Sequence, residues 1–339
     1  MVSHDPDVKI ALLGAGRIGR LHARLLSTTP GVDELVIADL IPERAGSVAA
    51  ESGAQSVTDL DAALGQADAV VIATSTDTHA DLIRAALRYR LPTFCEKPLA
   101  VSLADSLVIC EEIEASAVPF QLGFQRRFDP AYREARRLIQ GGELGTIYVI
   151  SPGRPRPGTS PEAYIPHSGG IFRDFSVHDF DMLRWLTGSE VEEVYADGRV
   201  RGFPVFAKYG DVDTAVATLR TMDGTLAVLT VARHDPLGYD VRAEILGSRD
   251  SIAIGLGPRT PIRSLDPGVA PQAGPAWPDF LVRFEPAYAA ELAAFVRVAA
   301  GDASSECTAP DGVQALRVAE AATRSLLEHR AVRLAEIEG

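Results

Sequence analysis

Through residue 120 the chain alternates short, largely apolar runs with stretches of helical periodicity. Val8–Leu13, Glu34–Ala38, Ala69–Ala73 and Thr93–Cys95 lack the polar alternation of a strand with one wet side, so they read as strands buried on both faces. Between them, Ile18–Ser27, Pro42–Ser52, Asp77–Arg88 and Leu103–Ala115 carry apolar residues near helical spacing. Strand and helix in alternation predict a doubly wound α/β domain, a parallel sheet covered by helices.

Past Phe120 the rhythm changes. A strand over Pro119–Gly123, a helix over Ala131–Gln140 and a strand over Thr146–Ser151 lead into the Pro/Gly-rich stretch Pro152–Pro161, which reads as a loop carrying Arg154 and Arg156. A helix is predicted over Phe172–Leu186. β-rich runs follow at Val191–Val200, Thr214–Arg220, Thr225–Ala232, Tyr239–Leu246 and Ser251–Ile254, with Asp223-Gly224 and Gly247-Ser248 at hairpin positions. Consecutive strands joined by short turns predict an α+β domain with an open, mainly antiparallel sheet. Gly255–Asp279, with six prolines, reads as an irregular excursion, and helices over Pro286–Ala300 and Asp311–Leu327 close the chain. The expected division is 1–122 and 123–339, with the final helices free to pack back on the first domain.

The 339 residues are 46% apolar, enough for two cores. A net charge of −13 with no dense Lys/Arg run argues against nucleic acid and anionic membrane surfaces as partners. Met1–Asp7 has acidic groups and a proline in place of a secretory signal, and no apolar run approaches a membrane span. Cys95, Cys110 and Cys307 are too few and scattered for a disulfide framework or a Cys-rich zinc site, which fits a reducing cytoplasm.

Candidate chemistry begins at Gly14-Ala15-Gly16-Arg17-Ile18-Gly19, preceded by a strand and followed by a helix. In that context the three glycines form a tight turn, admit a pyrophosphate to the backbone and let helix pack on strand, with free helix amides facing the diphosphate. Asp39 ends the second strand, twenty residues beyond Gly19. There a carboxylate accepts from the adenosine ribose hydroxyls and repels a 2′-phosphate, so NAD is expected over NADP, although Arg44 lies near.

Lys97, in Glu96-Lys97-Pro98, emerges at the carboxyl end of a strand, where open α/β sheets bind ligands. An ammonium there stabilises negative charge on a substrate oxygen. In the later helix, at about 100° per residue, Asp174, His178 and Asp181 share one narrow polar strip bounded by apolar residues. Oxidation of an alcohol needs a base for the hydroxyl proton while hydride leaves carbon, and His178 suits that role with Asp174 orienting it or the substrate. Zinc held by Asp174, His178 and Asp181 is a competing reading, set aside in favour of no metal because lysine serves as the electrophile.

Together with Ala73-Thr74-Ser75-Thr76, Gly123–Asp129 and Ser168–Asp181, these motifs resemble the Gfo/Idh/MocA family of sugar and polyol oxidoreductases, and within it the bacterial inositol 2-dehydrogenases. The resemblance implies a Rossmann domain followed by an α/β domain with an open antiparallel sheet, packed sheet to sheet in homodimers or homotetramers. It implies a catalytic group of Lys97, Asp174 and His178 and a cis Lys97–Pro98 bond. It further implies cofactor contacts at Gly14, Gly16, Arg17, Ile18, Gly19, Asp39, Thr74, Ser75, His79, Glu96 and Lys97. Substrate contacts are implied at Gln125, Arg126, Tyr164 and Tyr239 beside the catalytic three. Ser75 stands where relatives often have proline and Gln125 where inositol dehydrogenases often have methionine, a change of polarity that bears on the isomer or sugar. The expected activity is NAD-dependent oxidation of a ring hydroxyl of a cyclic polyol, an inositol first, with an aldose or anhydrosugar dehydrogenase and a non-catalytic cofactor-binding regulator as alternatives.

Overall fold

The structure is a computed structural model, and it describes residues 8–153, 161–269 and 274–338. The first part of the chain runs β1 (Val8–Leu13), α1 (Arg17–Leu26), β2 (Val32–Ala38), α2 (Pro42–Ser52), β3 (Gln55–Val57), α3 (Leu60–Leu64), β4 (Ala69–Ile72), α4 (His79–Arg88), β5 (Thr93–Glu96), α5 (Leu103–Ser116) and β6 (Phe120–Gly123). Its six strands are all parallel in the order β3-β2-β1-β4-β5-β6. The direction of winding reverses between β1 and β4, so their carboxyl ends, leading to Gly14 and Ala73, flank the crevice where such sheets bind ligands.

The second part adds α6 (Pro130–Gln140), β7 (Ile147–Gly153), α7 (Val177–Thr187), β8 (Val191–Arg199), β9 (Thr214–Thr221), β10 (Leu226–Ala232), β11 (Arg242–Gly247), β12 (Ser251–Ile254), α8 (Phe280–Ala299), α9 (Ala309–Glu328) and β13 (Val332–Arg333). Its sheet has the order β12-β11-β7-β10-β9-β8-β13 and is antiparallel throughout except for the β7–β10 pair. One face is buried and the other open: in β9 from Ala215 and in β10 up to Val231, residues alternate between buried and exposed. Two compact units result, one from residues 8–128 with 286–313, the other from the described parts of 129–285 with 314–338. Among the described residues no helix is long and apolar enough to cross a membrane.

Several details differ from the sequence expectation, among them the start of α8 at Phe280 instead of Pro286. Pro152 and Gly153 extend β7, and residues 154–160, including Arg154 and Arg156, lie outside the described residues. β11 begins at Arg242, because the Tyr239 amide donates to the Trp277 carbonyl at 2.8 Å instead of joining the sheet ladder. Phe172–Ser176 winds as a π-helical turn before α7, so the uniform helical phase assumed for Asp174, His178 and Asp181 does not hold; Asp181 is fully buried while Asp174 keeps some exposure.

The first unit buries one acid that its sequence context disguises. Glu291, on α8, is completely buried, and no group among the described residues hydrogen-bonds its carboxyl oxygens. Burial, reinforced by the negative charge of Glu96, holds its pKa well above the ordinary 4.5. A folded-state value raised in this way favours the native state below pH 4.5, and that advantage is lost as pH rises through the raised value. Glu291→Gln, which cannot ionise, is therefore expected to melt at a higher temperature than the parent, with the gap widening from pH 5 to pH 9, at about 2–4 °C per kcal/mol. A gap that does not change with pH would show that Glu291 titrates normally.

Candidate active site

The glycine loop between β1 and α1 is shaped by contacts that exclude side chains. Gly14 sits at φ +99°, and a Cβ there would lie 2.7 Å from the Ala73 carbonyl oxygen. At Gly19 a Cβ would lie 1.9 Å from the Gly14 carbonyl oxygen, so neither position accepts alanine without moving backbone. Gly16 is different: a Cβ there would meet nothing within 4 Å, because the residue faces a cavity of about 780 Å³. Gly14, Gly16, Arg17, Ile18, Asp39, Thr74 and Ser75 line this cavity. The first turn of α1 has no acidic residue and Gly16 provides no side-chain cap, leaving helix amides to an anion.

Asp39 is fixed in place by backbone donors, accepting from the Ala15 amide at 2.7 Å and the Ile41 amide at 2.9 Å. Each oxygen keeps capacity for a ribose hydroxyl. The Arg44 guanidinium, which the sequence left merely nearby, stands 3.9 Å from this carboxylate and also lines the cavity. The cradle thus fits a dinucleotide: room at Gly16, donors at α1 and an acceptor at Asp39.

At the end of β5 the Lys97–Pro98 peptide bond is cis, and Lys97 is partly exposed. Two neighbours expected to touch cofactor also have partners within the protein. His79 is buried, its Nδ1 2.7 Å from the Pro98 carbonyl oxygen and its Nε2 3.3 Å from that of Thr74. Burial holds its pKa below the ordinary imidazole range, so the ring is neutral and the closer contact takes the proton on Nδ1. His79 thereby ties the Lys97–Pro98 turn to the start of α4 through Nδ1, with its unprotonated Nε2 facing Thr74. Glu96 turns its Oε1 to Nε2 of the buried His22, at 2.7 Å. Burial pushes the Cys95 thiol up and the Cys110 thiol to about 11, so neither is a nucleophile at neutral pH.

In the second unit the π turn presents Asp174 just before α7, and His178 occupies the first turn of α7, half-buried. Asp174 Oδ1 accepts from the Tyr164 hydroxyl at 2.9 Å, which brings these two sequence-selected residues together. Its Oδ2 accepts from Arg233 at 3.0 Å, a residue the sequence did not single out. Tyr239 is buried, its ring about 6 Å from those of Phe280 and Phe284 (6.4 and 6.3 Å), so packing accounts for much of it. Gln125 and Arg126, in the first unit after β6, are also buried, at 4% and 5% exposure. Among the described residues, no three His, Cys, Asp or Glu side chains are grouped to hold a metal ion.

Residues 8–124 match the family model described as oxidoreductase family, NAD-binding Rossmann fold, and residues 132–253 match the GFO/IDH/MocA C-terminal domain. The chain belongs to the Gfo/Idh/MocA oxidoreductase family. Among similar family members is a myo-inositol dehydrogenase, Hyg17, of Streptomyces leeuwenhoekii, 38% identical over 93% of this chain and 96% of that protein. An NAD-linked scyllo-inositol 2-dehydrogenase of Bacillus subtilis is 36% identical over 97% of each. The solved scyllo-inositol dehydrogenase of Lactobacillus casei, with bound NAD(H) and scyllo-inositol, superposes with a TM-score of 0.85 at 30% identity, covering 97% of this chain and 99% of that one. This chain is thus an oxidoreductase built on an NAD-binding Rossmann domain.

Proposed function

We propose that this protein oxidises a secondary ring hydroxyl of an inositol to the ketone, using NAD. What carries the reading is the near full-length likeness to enzymes named for myo- and scyllo-inositol, in a chain that keeps Lys97, Asp174 and His178 together with an NAD-type cradle.

The cradle at Gly14–Gly19 binds the diphosphate through α1 amides, and Asp39 accepts from the adenosine ribose. NAD, when bound, supplies the hydride acceptor. Lys97 donates to the reacting oxygen and stabilises the alkoxide character it gains as the C–H bond breaks. His178 removes the hydroxyl proton, and Asp174 holds the hydroxyl in line with that base. His79 holds the Lys97–Pro98 turn through its Nδ1 hydrogen bond to the Pro98 carbonyl.

The assembly is a homodimer or homotetramer formed through the open sheet face. Tyr195, Val216, Leu226, Val228 and Leu246 stand exposed there, a patch of the kind that a second copy covers. We place the enzyme in the cytoplasm, where the buried thiols Cys95 and Cys110 stay reduced.

Incubating purified protein with NAD and a panel of inositols, aldoses and anhydrosugars, and following NADH, tests the reading. NADH formation with an inositol at low millimolar concentration, and at least tenfold preference for NAD over NADP, is the expected result. Turnover confined to aldoses or anhydrosugars moves the substrate class, and no turnover with any polyol removes the enzymatic reading.

A further inference from the structure

Arg233 follows β10 and is the largest completely buried side chain among the described residues. Its backbone amide donates to the Asp213 carbonyl at 2.8 Å, fixing where the side chain starts. The guanidinium then divides its donors between two carboxylates, Nη1 to Asp174 Oδ2 at 3.0 Å and Nη2 to Asp211 Oδ2 at 2.6 Å. It lies 4.9 Å from the centroid of Phe175 and 4.8 Å from that of Phe206. Asp211 is anchored in turn, its Oδ1 accepting from the Ile171 amide at 3.1 Å and the Val212 amide at 2.8 Å.

A largely desolvated ion pair is a poor device for stability, since well-packed apolar groups of similar volume often do as well or better. What an arginine provides and an apolar group does not is direction: its planar, rigid donors tie Asp174 Oδ2 to the anchored Asp211 at a fixed separation and angle. Here the carboxylate so held belongs to the π turn that leads into His178, and the fork leaves Oδ1 of Asp174 toward Tyr164. One positive charge between two negative ones leaves the group with net negative charge beside the first turn of α7.

We propose that Arg233 is a positioning residue for the dehydrogenation: it acts through Asp174, holding that carboxylate in the orientation that the reacting hydroxyl requires. The inference rests on the functional reading above.

A double-mutant cycle tests it, with Arg233→Lys, Asp174→Asn and the two combined, followed by NADH formation from NAD and myo- or scyllo-inositol. Arg233→Lys keeps a positive charge between the carboxylates, so it is the variant that retains the fold; thermal unfolding checks this. Its kcat is expected to fall about tenfold to a hundredfold, with KM for NAD unchanged, because lysine lacks the fork. In the Asp174→Asn background the same replacement should cost nothing further. Losses that multiply in the double variant, or a parental kcat in Arg233→Lys, overturn the proposal and leave a structural pair. Wild-type protein that oxidises no polyol overturns the functional reading and this inference with it, a result distinguishable from multiplying losses in an active enzyme.

Discussion

Replacement of His178 by alanine is expected to lower kcat for inositol oxidation by about 10²–10⁴, the usual share of a positioned general base. Affinity for NAD should stay within about twofold of the parent. The reasoning starts from the backbone. The π turn over Phe172–Ser176 ends at the first turn of α7, and His178 is only half-buried there, so its loss removes a reactive group without opening the core. The cofactor cradle is built from residues of β1, β2, α1, α2, α3, α4 and the loops between them, none of which includes His178. A drop in kcat with unchanged NAD titration therefore reads as loss of an interaction made in the chemical step. Turnover equal to the parent would take His178 out of the mechanism and leave the base to another group.

Much of this site was legible because its chemistry forces unusual residues into fixed places. Gly14 and Gly19 admit no Cβ, so a glycine pattern after an apolar strand identifies the cradle without coordinates. Asp39 follows from the same logic, since the carboxylate that meets the ribose must end the next strand. Other features left no local trace. β3, at Gln55–Val57, has two of its three residues exposed and shows no alternation, while α3 spans only five residues, too few for periodicity. The π turn breaks the 3.6-residue phase on which the polar strip was read, which is why Asp181 was grouped with Asp174 and proved to be buried.

Arg233 and Glu291 were missed for a related reason. Arg233 closes a strand, where an arginine ordinarily reaches solvent, and its partners lie 59 and 22 residues away. Only the fold shows that it is buried between them. Glu291 sits in a helix rich in alanine, and nothing in that composition marks it as completely buried. Pair distances and burial are properties of the folded chain, and a composition pattern does not carry them.

Replacement of Gly16 by valine is expected to abolish cofactor binding while sparing the fold, a contrast that the other two loop glycines do not offer. The φ of Gly16 is −74°, open to any residue, and an added Cβ would meet no protein atom within 4 Å. The structural cost is confined to the helix cap, about 1 kcal/mol. The space that the valine enters is the space a diphosphate needs above the first turn of α1. Losing two charge-assisted hydrogen bonds there costs about 3–6 kcal/mol, or roughly 10²–10⁴ in Kd. Gly19→Ala would instead drive a Cβ into the Gly14 carbonyl and should lower the melting temperature along with affinity. Thermal unfolding without cofactor and calorimetric titration with NAD separate the two variants. Parental NAD affinity in Gly16→Val would mean that the diphosphate passes elsewhere, because no cofactor lying against the α1 amides can share that volume with a branched side chain.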